Sequence, residues 1–245
     1  MTIAICLFIT ALAGAPVASA TAPLAAETAP TVSPAALKLA ATTNPAEGIT
    51  SESDRLFTGG ELAESMRADP EMAETEREYP GLIDHIAAQM RPTIERQVMA
   101  SLPTLWNRLA RIYDANLTPA EIDQAQRYYG SSAGSRLIRA VSRHFDYKPM
   151  LSESAQDEDV STTSMRQGLA AGMPAIIAQM SSEDQAALMA FARTPTFTKI
   201  QKINPEIARV KAAWVNESTP EADAELEAVV TKAAEEFIAQ KEAKK

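Results

Sequence analysis

The chain has 245 residues, which is enough for one or two domains of the usual size of about 100–200 residues. It is 46% hydrophobic but only 5% aromatic, and it is rich in alanine without strand-length runs of β-branched residues, so the sequence predicts an all-α helical bundle. The net charge of −9 argues against a nucleic-acid partner, because nonspecific binding to phosphates needs a basic surface.

The amino terminus has the features of a secretory signal peptide over residues 1–20. Its apolar run, Ile3 to Ala13, is about half of the ~20 residues that a transmembrane helix needs, and Ala18-Ser19-Ala20 suits cleavage before Thr21. The run lacks the usual preceding Lys or Arg. We therefore expect an exported, periplasmic protein without a transmembrane span after cleavage. The only cysteine, Cys6, lies in this segment, so the mature chain would have no thiol for a disulfide, for catalysis or for a metal.

Residues 21–52 are rich in alanine, proline and threonine and show no sustained hydrophobic periodicity. A segment of this kind cannot bury enough apolar surface to offset the entropy lost on ordering, so we predict a disordered linker. A helical domain is predicted over residues 53–215. Its first short helix is expected to begin with a capping box, in which Thr58 is the N-cap and Glu61 follows three residues later.

A four-residue apolar spacing predicts a long helix after Pro80. The apolar positions are Leu82, Ile86, Met90, Ile94 and Val98. Pro92 lies inside this pattern and is expected to kink the helix or divide it in two. A second helix is predicted after Pro103.

Two segments that are 63 residues apart, residues 117–138 and 180–201, carry the same helix signals. Each begins with a hydroxyl N-cap that is followed three residues later by an acid. These pairs are Thr118 with Glu121 and Ser181 with Asp184. Both segments continue with an apolar stripe, then a break that can cap a new helix, and then a basic residue before an aliphatic one. We predict two helix-turn-helix pseudo-repeats with Tyr128 and Phe191 both in the core.

The break in each segment resembles the core motif of the family called domain of unknown function 2059, roughly Phe/Tyr-x-Ser-Pro-x-Gly-x-Lys. The first segment matches at Tyr129, Ser131, Gly134 and Arg136, with Ser132 in place of proline. The second keeps Thr194, Pro195 and Lys199, with Phe197 where glycine would be, and its aromatic residue is Phe191, three residues before Thr194. The resemblance covers about residues 80–205. It implies an all-helical, exported and mostly bacterial protein with no assigned activity, so no catalytic residue is carried over.

We interpret the motif residues of the first segment as structural. Ser131 or Ser132 is expected to cap the second helix, with Gly134 in its first turn. Glycine costs about 1 kcal/mol there relative to alanine, which is understandable if another helix crosses too closely for a Cβ. Arg136 is expected at the outer edge of the unit, with its stem packed and its head on an acid or a helix carbonyl end.

A helical stripe between the two segments is predicted to face the core. It consists of Met165, Leu169, Met173, Ile176 or Ile177, and Met180, with Pro174 as an expected bend. The nine methionines after the first residue are scattered rather than clustered. We therefore interpret them as core packing and not as a copper site.

The last segment, residues 216–245, predicts an amphipathic helix. It begins at Ser218-Thr219-Pro220-Glu221, which combines a hydroxyl cap, a first-turn proline and an acid near the positive end of the helix dipole. Its narrow apolar stripe either packs on the bundle or binds a partner.

Arg136, Arg139 and Arg143 share one face of a predicted helix. The simpler interpretation is a solvated face that pairs with acids elsewhere. The alternative is a docking stripe for an anionic partner or a lipid headgroup.

The sequence contains no recognisable catalytic site, metal site or cofactor site. Its two histidines, His85 and His144, lie in different predicted helices, and nothing brings a nucleophile and an orienting acid to either. Our first hypothesis is a non-catalytic interaction or structural module of the cell envelope, with an envelope protein or a lipid as its partner. The alternative is a periplasmic carrier that binds an apolar ligand or lipid in a helical pocket. A hydrolase ranks third.

Overall fold

The structure, a computed structural model, describes residues 31–58, 60–156 and 158–243. The predicted signal peptide and residues 21–30 lie outside this part of the chain. The all-α prediction is confirmed, since the described residues form twelve helices and no strand. In chain order the helices are α1 (Pro34–Thr43), α2 (Ala46–Thr58), α3 (Glu61–Ala68), α4 (Pro70–Glu78), α5 (Leu82–Asn116), α6 (Pro119–Tyr129), α7 (Ser132–His144), α8 (Lys148–Ser154), α9 (Thr162–Gln179), α10 (Ser182–Ala192), α11 (Pro195–Asn216) and α12 (Pro220–Glu242).

Helix α5 is the axis of the bundle, and at 35 residues it is about 52 Å long. All five apolar positions of the predicted stripe are buried. Pro92 and Pro103 both lie inside this helix, so Pro92 does not divide it, and the second helix predicted after Pro103 is part of α5. Each proline removes one hydrogen bond, but α1, α2, α11 and α12 pack along α5 on both sides of these positions and hold the two halves together.

Two hydrophobic clusters lie along α5. The first surrounds the amino-terminal half of α5, with residues from α2, α3, α8 and α12. The second surrounds the carboxyl-terminal half, with residues from α1, α6, α10 and α11. Trp214 of α11 packs against both clusters, and its Nε1 donates to the carbonyl of Ser101 at 3.3 Å.

Helices α1 and α2 correct the prediction that residues 21–52 are a disordered linker. Ser33 caps α1, and its hydroxyl and amide both donate to the carboxylate of Asp114 at the end of α5. Leu39 and the small residues Ala36 and Ala40 are completely buried against α5 and α6. The segment has too short an apolar stripe to signal a helix by itself, and its order comes from tertiary packing.

The predicted capping box at Thr58 is also absent. Thr58 is the last residue of α2, and the N-cap of α3 is Gly60, which has a φ of +81° and gives no side-chain hydrogen bond. A left-handed backbone of this kind favours glycine, so the turn rather than a hydroxyl starts α3.

Helix α12 packs on the bundle. Leu226 and Ala233 are buried in the first cluster, and the side chain of Gln97 on α5 donates to the carbonyl of Ala222 at 3.1 Å. The hydroxyl of Thr219 caps the helix as predicted. The predicted boundary at residue 216 therefore does not separate α12 from the rest of the core.

Candidate functional site

An apolar cavity of about 830 Å³ lies between the two clusters. Residues of the first cluster, such as Ile94 and Val98, line one part, and residues of the second cluster, such as Leu102 and Leu105, line another. Residues of helices α1, α2, α6, α7, α8, α9 and α11 also line it. The volume falls within the roughly 300–1,000 Å³ that is usual for small-molecule sites.

Among the described residues that line the cavity, Glu95 is the one carboxylate, and Arg91 pairs with it. Arg91, one turn earlier on α5, donates to Glu95 across 2.9 Å. Burial raises the pKa of Glu95, but the hydrogen bonds that the carboxylate accepts, chiefly from Arg91, outweigh burial and hold its pKa below the ordinary value. The remaining wall is mainly aliphatic and aromatic.

Two cationic side chains, Arg166 of α9 and Lys211 of α11, also line the cavity. The side chain of Asn216 at the end of α11 forms hydrogen bonds with both the amide and the carbonyl of Val160, just before α9, at 2.9 and 3.1 Å. These bonds join the end of α11 to the start of α9. Arg166 is exposed and forms no ion pair within the described residues.

Helix α9 differs from its prediction, because the buried face is formed by Ser164, Gly168, Gly172 and Ile176. A Cβ at Gly168 would lie 2.2 Å from the carbonyl oxygen of Asp146, and one at Gly172 would lie 2.2 Å from that of His144. The close approach of α9 to the end of α7 therefore selects the small residues for the interior. The larger side chains are turned away from α7.

As a result, part of the predicted core stripe is exposed. Leu169 is 37% exposed, Met173 is 39% exposed and Ile177 is 53% exposed. Their four-residue spacing places them on one side of α9, and we call them the α9 apolar row. Leu169 also lines the cavity, so the row continues the cavity wall toward solvent.

The two predicted helix-turn-helix segments are helices α6–α7 and α10–α11, joined by equally short turns. The predicted N-caps Thr118 and Ser181 both accept from the backbone of the acid three residues later. In the turns, the hydroxyls of Ser131 and Thr194 occupy equivalent N-cap positions of α7 and α11. Ser131, and not Ser132, is therefore the cap of α7, while Ser132 and Pro195 stand at the first helical position.

The basic motif residues form ion pairs that cross between the two units. Arg136 of α7 donates from Nε to both carboxylate oxygens of Asp184 on α10, at 3.2 and 3.0 Å. Lys199 of α11 donates to Glu121 on α6 at 2.9 Å. The hydrogen bond from Lys199, together with those at Thr118, lowers the pKa of Glu121 to about 2. The hydrogen bond from Arg136 likewise lowers the pKa of Asp184.

The aromatic residues of the two units meet at one place. Tyr128 and Phe191 are both buried, as predicted, and their rings stack with centroids 4.3 Å apart and planes 12° apart. Tyr129 and Phe197 each meet the ring of Phe191 edge-on, at 5.6 and 5.5 Å. Such pairs add about 0.5–1.5 kcal/mol each beyond their buried area.

Gly134 lies in the first turn of α7 where no side chain fits. An added Cβ would lie 2.1 Å from the carbonyl oxygen of Tyr128 and 2.6 Å from the Cα of Tyr129. The close crossing expected from the sequence is therefore present, and the crossing element is the end of α6.

The arginine face of α7 borders a groove of about 220 Å³ near the end of α9. Arg136 is held by Asp184, as the simpler interpretation expects. Arg139 and Arg143 are exposed and form no ion pair within the part of the chain that the structure describes.

The two histidines lie in different helices, His85 in α5 and His144 in α7. The ring of His85 lies 5.2 Å from that of Phe237, and the neighbouring Asp84 pairs with Arg67 at 2.7 Å. The Nε2 atoms of His85 and His144 are buried without a hydrogen-bond partner. Among the described residues, no group of three or more His, Cys, Asp and Glu side chains is placed to hold a metal ion, and no helix is long and apolar enough to cross a membrane.

Comparison of the chain with protein-family models, with curated proteins and with solved structures finds no match. The resemblance to domain of unknown function 2059 therefore stays a prediction.

Proposed function

We propose that this protein is a carrier that holds an apolar ligand, such as the acyl chain of a lipid, in the cavity between the two clusters. The observation that carries this proposal is the size and apolar wall of the cavity. Side chains that face an empty apolar space lose dispersion contacts, and a ligand that fills the space restores them. Burial of the ligand's own apolar surface adds about 25 cal/mol per Å².

The signal-peptide pattern of residues 1–20 supports export, and the proposed place of work is the periplasm. A carrier there would shield an apolar molecule from water between membranes. Amino-terminal sequencing of protein expressed in a bacterial host should begin at or near Thr21. Intact Met1 on cytosolic protein would contradict the localisation but not the binding.

Binding can be tested with N-phenyl-1-naphthylamine, a neutral probe whose fluorescence rises in apolar surroundings. Ala208 lines the cavity from α11, so Ala208→Phe should occupy part of the space and lower the amount of probe bound. Ala213 is on the same helix, is exposed and does not line the cavity, which makes Ala213→Phe the matched control. Equal probe binding by both variants and the wild type would contradict the carrier proposal.

The interaction module is the second candidate, and the exposed α9 apolar row favours it, since exposed apolar surface often marks a binding site. A photoreactive amino acid at Ile177 should crosslink an envelope component, whereas the same group at Glu235 on the exposed side of α12 should not. Crosslinking at neither position, or at both equally, would remove the support for this candidate.

We also propose that α6–α7 and α10–α11 are pseudo-repeats related by an approximate two-fold axis. The crossed ion pairs support this proposal. Arg136 and Lys199 are 63 residues apart, as are Glu121 and Asp184, so each pair joins the basic position of one unit to the acidic position of the other. The stack of Tyr128 on Phe191 joins two positions with the same offset. The motif resemblance to domain of unknown function 2059 belongs to this proposal, since both units carry it.

A further inference from the structure

The arginine face of α7 carries two charges that no described residue balances. Arg136, Arg139 and Arg143 all line the groove of about 220 Å³ beside α9. Asp184 pairs with Arg136, whereas Arg139 and Arg143 are exposed and form no ion pair within the described residues. These two stand four residues apart on one helix, so about one turn separates them and their guanidinium groups share one side of α7.

The opposite wall of the groove is apolar and belongs to the end of α9, which packs on α7. Ile176 and Met180 form this wall. Met180 is three residues from Ile177 and seven from Met173, so it lies on the same side of α9 as these two exposed members of the α9 apolar row. Exposed apolar side chains therefore stand next to the arginine face.

This region is an exception in an acidic protein. Helices α7 and α9 contain neither Asp nor Glu, although the net charge of the chain is −9. Of the acids that the structure describes, Asp184 lines the groove and pairs with Arg136, and Glu183 also acts on Arg136. Exposed charges beyond about 8 Å are largely screened at physiological salt, so distant acids do not cancel Arg139 and Arg143.

We propose that this edge of α7 and α9 docks on the surface of a bilayer that contains anionic lipids. Arg139 and Arg143 bind the phosphates of the headgroups, while Met173 and Ile177 enter the boundary between headgroups and acyl chains. An acidic peptide would engage the arginines but leave the apolar row in water, whereas a bilayer surface accommodates both. The groove is smaller than the roughly 300–1,000 Å³ of usual small-molecule sites, which also favours a surface as the partner.

Docking in this way brings the cavity close to the bilayer. Ile138 and Val141, on another side of α7, line the cavity, and so does Leu169 at the start of the α9 apolar row. The docked face and the proposed ligand site thus share helices α7 and α9. The inference goes beyond the carrier function and does not depend on it.

The test is flotation of the purified protein with vesicles of phosphatidylcholine alone, or of phosphatidylcholine and phosphatidylglycerol in equal parts. We expect the affinity for the anionic vesicles to be higher by about tenfold or more, because each basic side chain at an anionic surface strengthens binding about fivefold. Added salt should weaken the binding, since it screens the arginines from the headgroups.

The double variant Arg139→Gln/Arg143→Gln should lower the affinity for the anionic vesicles about tenfold. Lys202→Gln/Arg209→Gln is the matched control, because it removes two exposed charges of α11 that line neither the groove nor the cavity. The control should bind as the wild type. All four positions are exposed, so both variants should keep the helix content of the wild type in circular dichroism.

The apolar part has its own pair of variants. Ile177→Ser should weaken binding to the anionic vesicles several-fold, whereas Met99→Ser, which replaces an exposed apolar side chain of α5, should not. Equal losses in these two variants, equal losses in the two double variants, or equal binding to both kinds of vesicle would overturn the proposal. Binding to neither vesicle would also overturn it and would leave an acidic protein as the partner of the arginine face. N-phenyl-1-naphthylamine should bind Arg139→Gln/Arg143→Gln as it binds the wild type, so the carrier function is tested separately.

Discussion

The two helix-turn-helix units differ in one respect that their shared signals conceal. Units α6–α7 and α10–α11 have hydroxyl caps, ion pairs and a buried ring at equivalent positions. Yet the third residue of the second helix is Gly134 in one unit and Phe197 in the other. Gly134 has no room for a Cβ, whereas the ring of Phe197 packs edge-on against Phe191.

This difference shows that caps specify where a helix begins but not how closely it packs on the preceding one. In the first unit α7 lies against the end of α6, and glycine is required. In the second unit the start of α11 has more space beside α10, and the ring of Phe197 fills that space. Substitutions at equivalent positions can therefore test which features the two units share and which they do not.

The largest expected effect is at the aromatic stack that joins the units. Phe191→Ala removes a buried ring that contacts Tyr128, Tyr129 and Phe197, and it should lower the free energy of unfolding by about 3–5 kcal/mol. The hydroxyl of Tyr128 is buried without a partner among the described residues, so Tyr128→Phe should change stability by less than about 1 kcal/mol. Denaturant unfolding measures both. Similar losses in the two variants would contradict a stack held by ring contacts.

The next test concerns the close crossing in the first unit. Gly134→Leu should destabilise by about 1–3 kcal/mol or more, because its Cβ would overlap backbone atoms of α6. Gly134→Ala is the more decisive variant, because alanine normally stabilises a helix by about 1 kcal/mol relative to glycine but should destabilise the protein here. Phe197→Leu, the same residue at the equivalent position, should cost less than Gly134→Leu. A Gly134→Leu variant that melts at the wild-type temperature would show that the crossing is open.

The turn caps should respond alike in both units. Ser131→Ala and Thr194→Ala each remove a hydroxyl that accepts from the third amide of the following helix, at 3.2 Å in both cases. Each should cost about 1 kcal/mol, or about 2–4 °C in melting temperature for a chain of this size. A cost in only one unit would mean that the caps are equivalent in position but not in energy.

Local signals in the sequence were sufficient to predict the class of fold and several caps. Thr118, Ser181 and Thr219 act as caps because a hydroxyl before a helical pattern is satisfied by nearby backbone, which requires no knowledge of the tertiary structure. Helix α1 and the inner face of α9 were missed for the opposite reason. Their order depends on small residues that allow another element to approach, and a pattern search that follows large apolar side chains overlooks such residues.

The candidate site was less predictable still. The apolar part of its wall contains leucine, isoleucine and valine residues of the kind that fill a core, so no periodicity separates a cavity from solid packing. Arg166 and Lys211 are 45 positions apart in the chain, yet both line the cavity, and Asn216 holds the end of α11 against Val160 before α9.

The smallest expected effect is a change in how the melting temperature depends on acidic pH, and it compares the two crossed ion pairs. The pKa of Glu121 is about 2 in the folded protein and near its ordinary value of 4.5 in the unfolded chain, so its contribution to stability is complete above about pH 4.5 and is lost as the pH falls toward 2. The melting temperature of the wild type should therefore fall between pH 4.5 and 2. That of Glu121→Gln should fall less, because this variant lacks the stabilising carboxylate at every pH. Lys199→Gln should match Glu121→Gln at pH 7, because each removes the same pair. Asp184→Asn removes the equivalent acid of the other unit, whose pKa is also lowered, and its acid dependence should be reduced in the same direction. Parallel melting curves for the wild type and Glu121→Gln between pH 4.5 and 2 would show that the Lys199–Glu121 pair does not stabilise the fold, and the two units would then share geometry without sharing energetics.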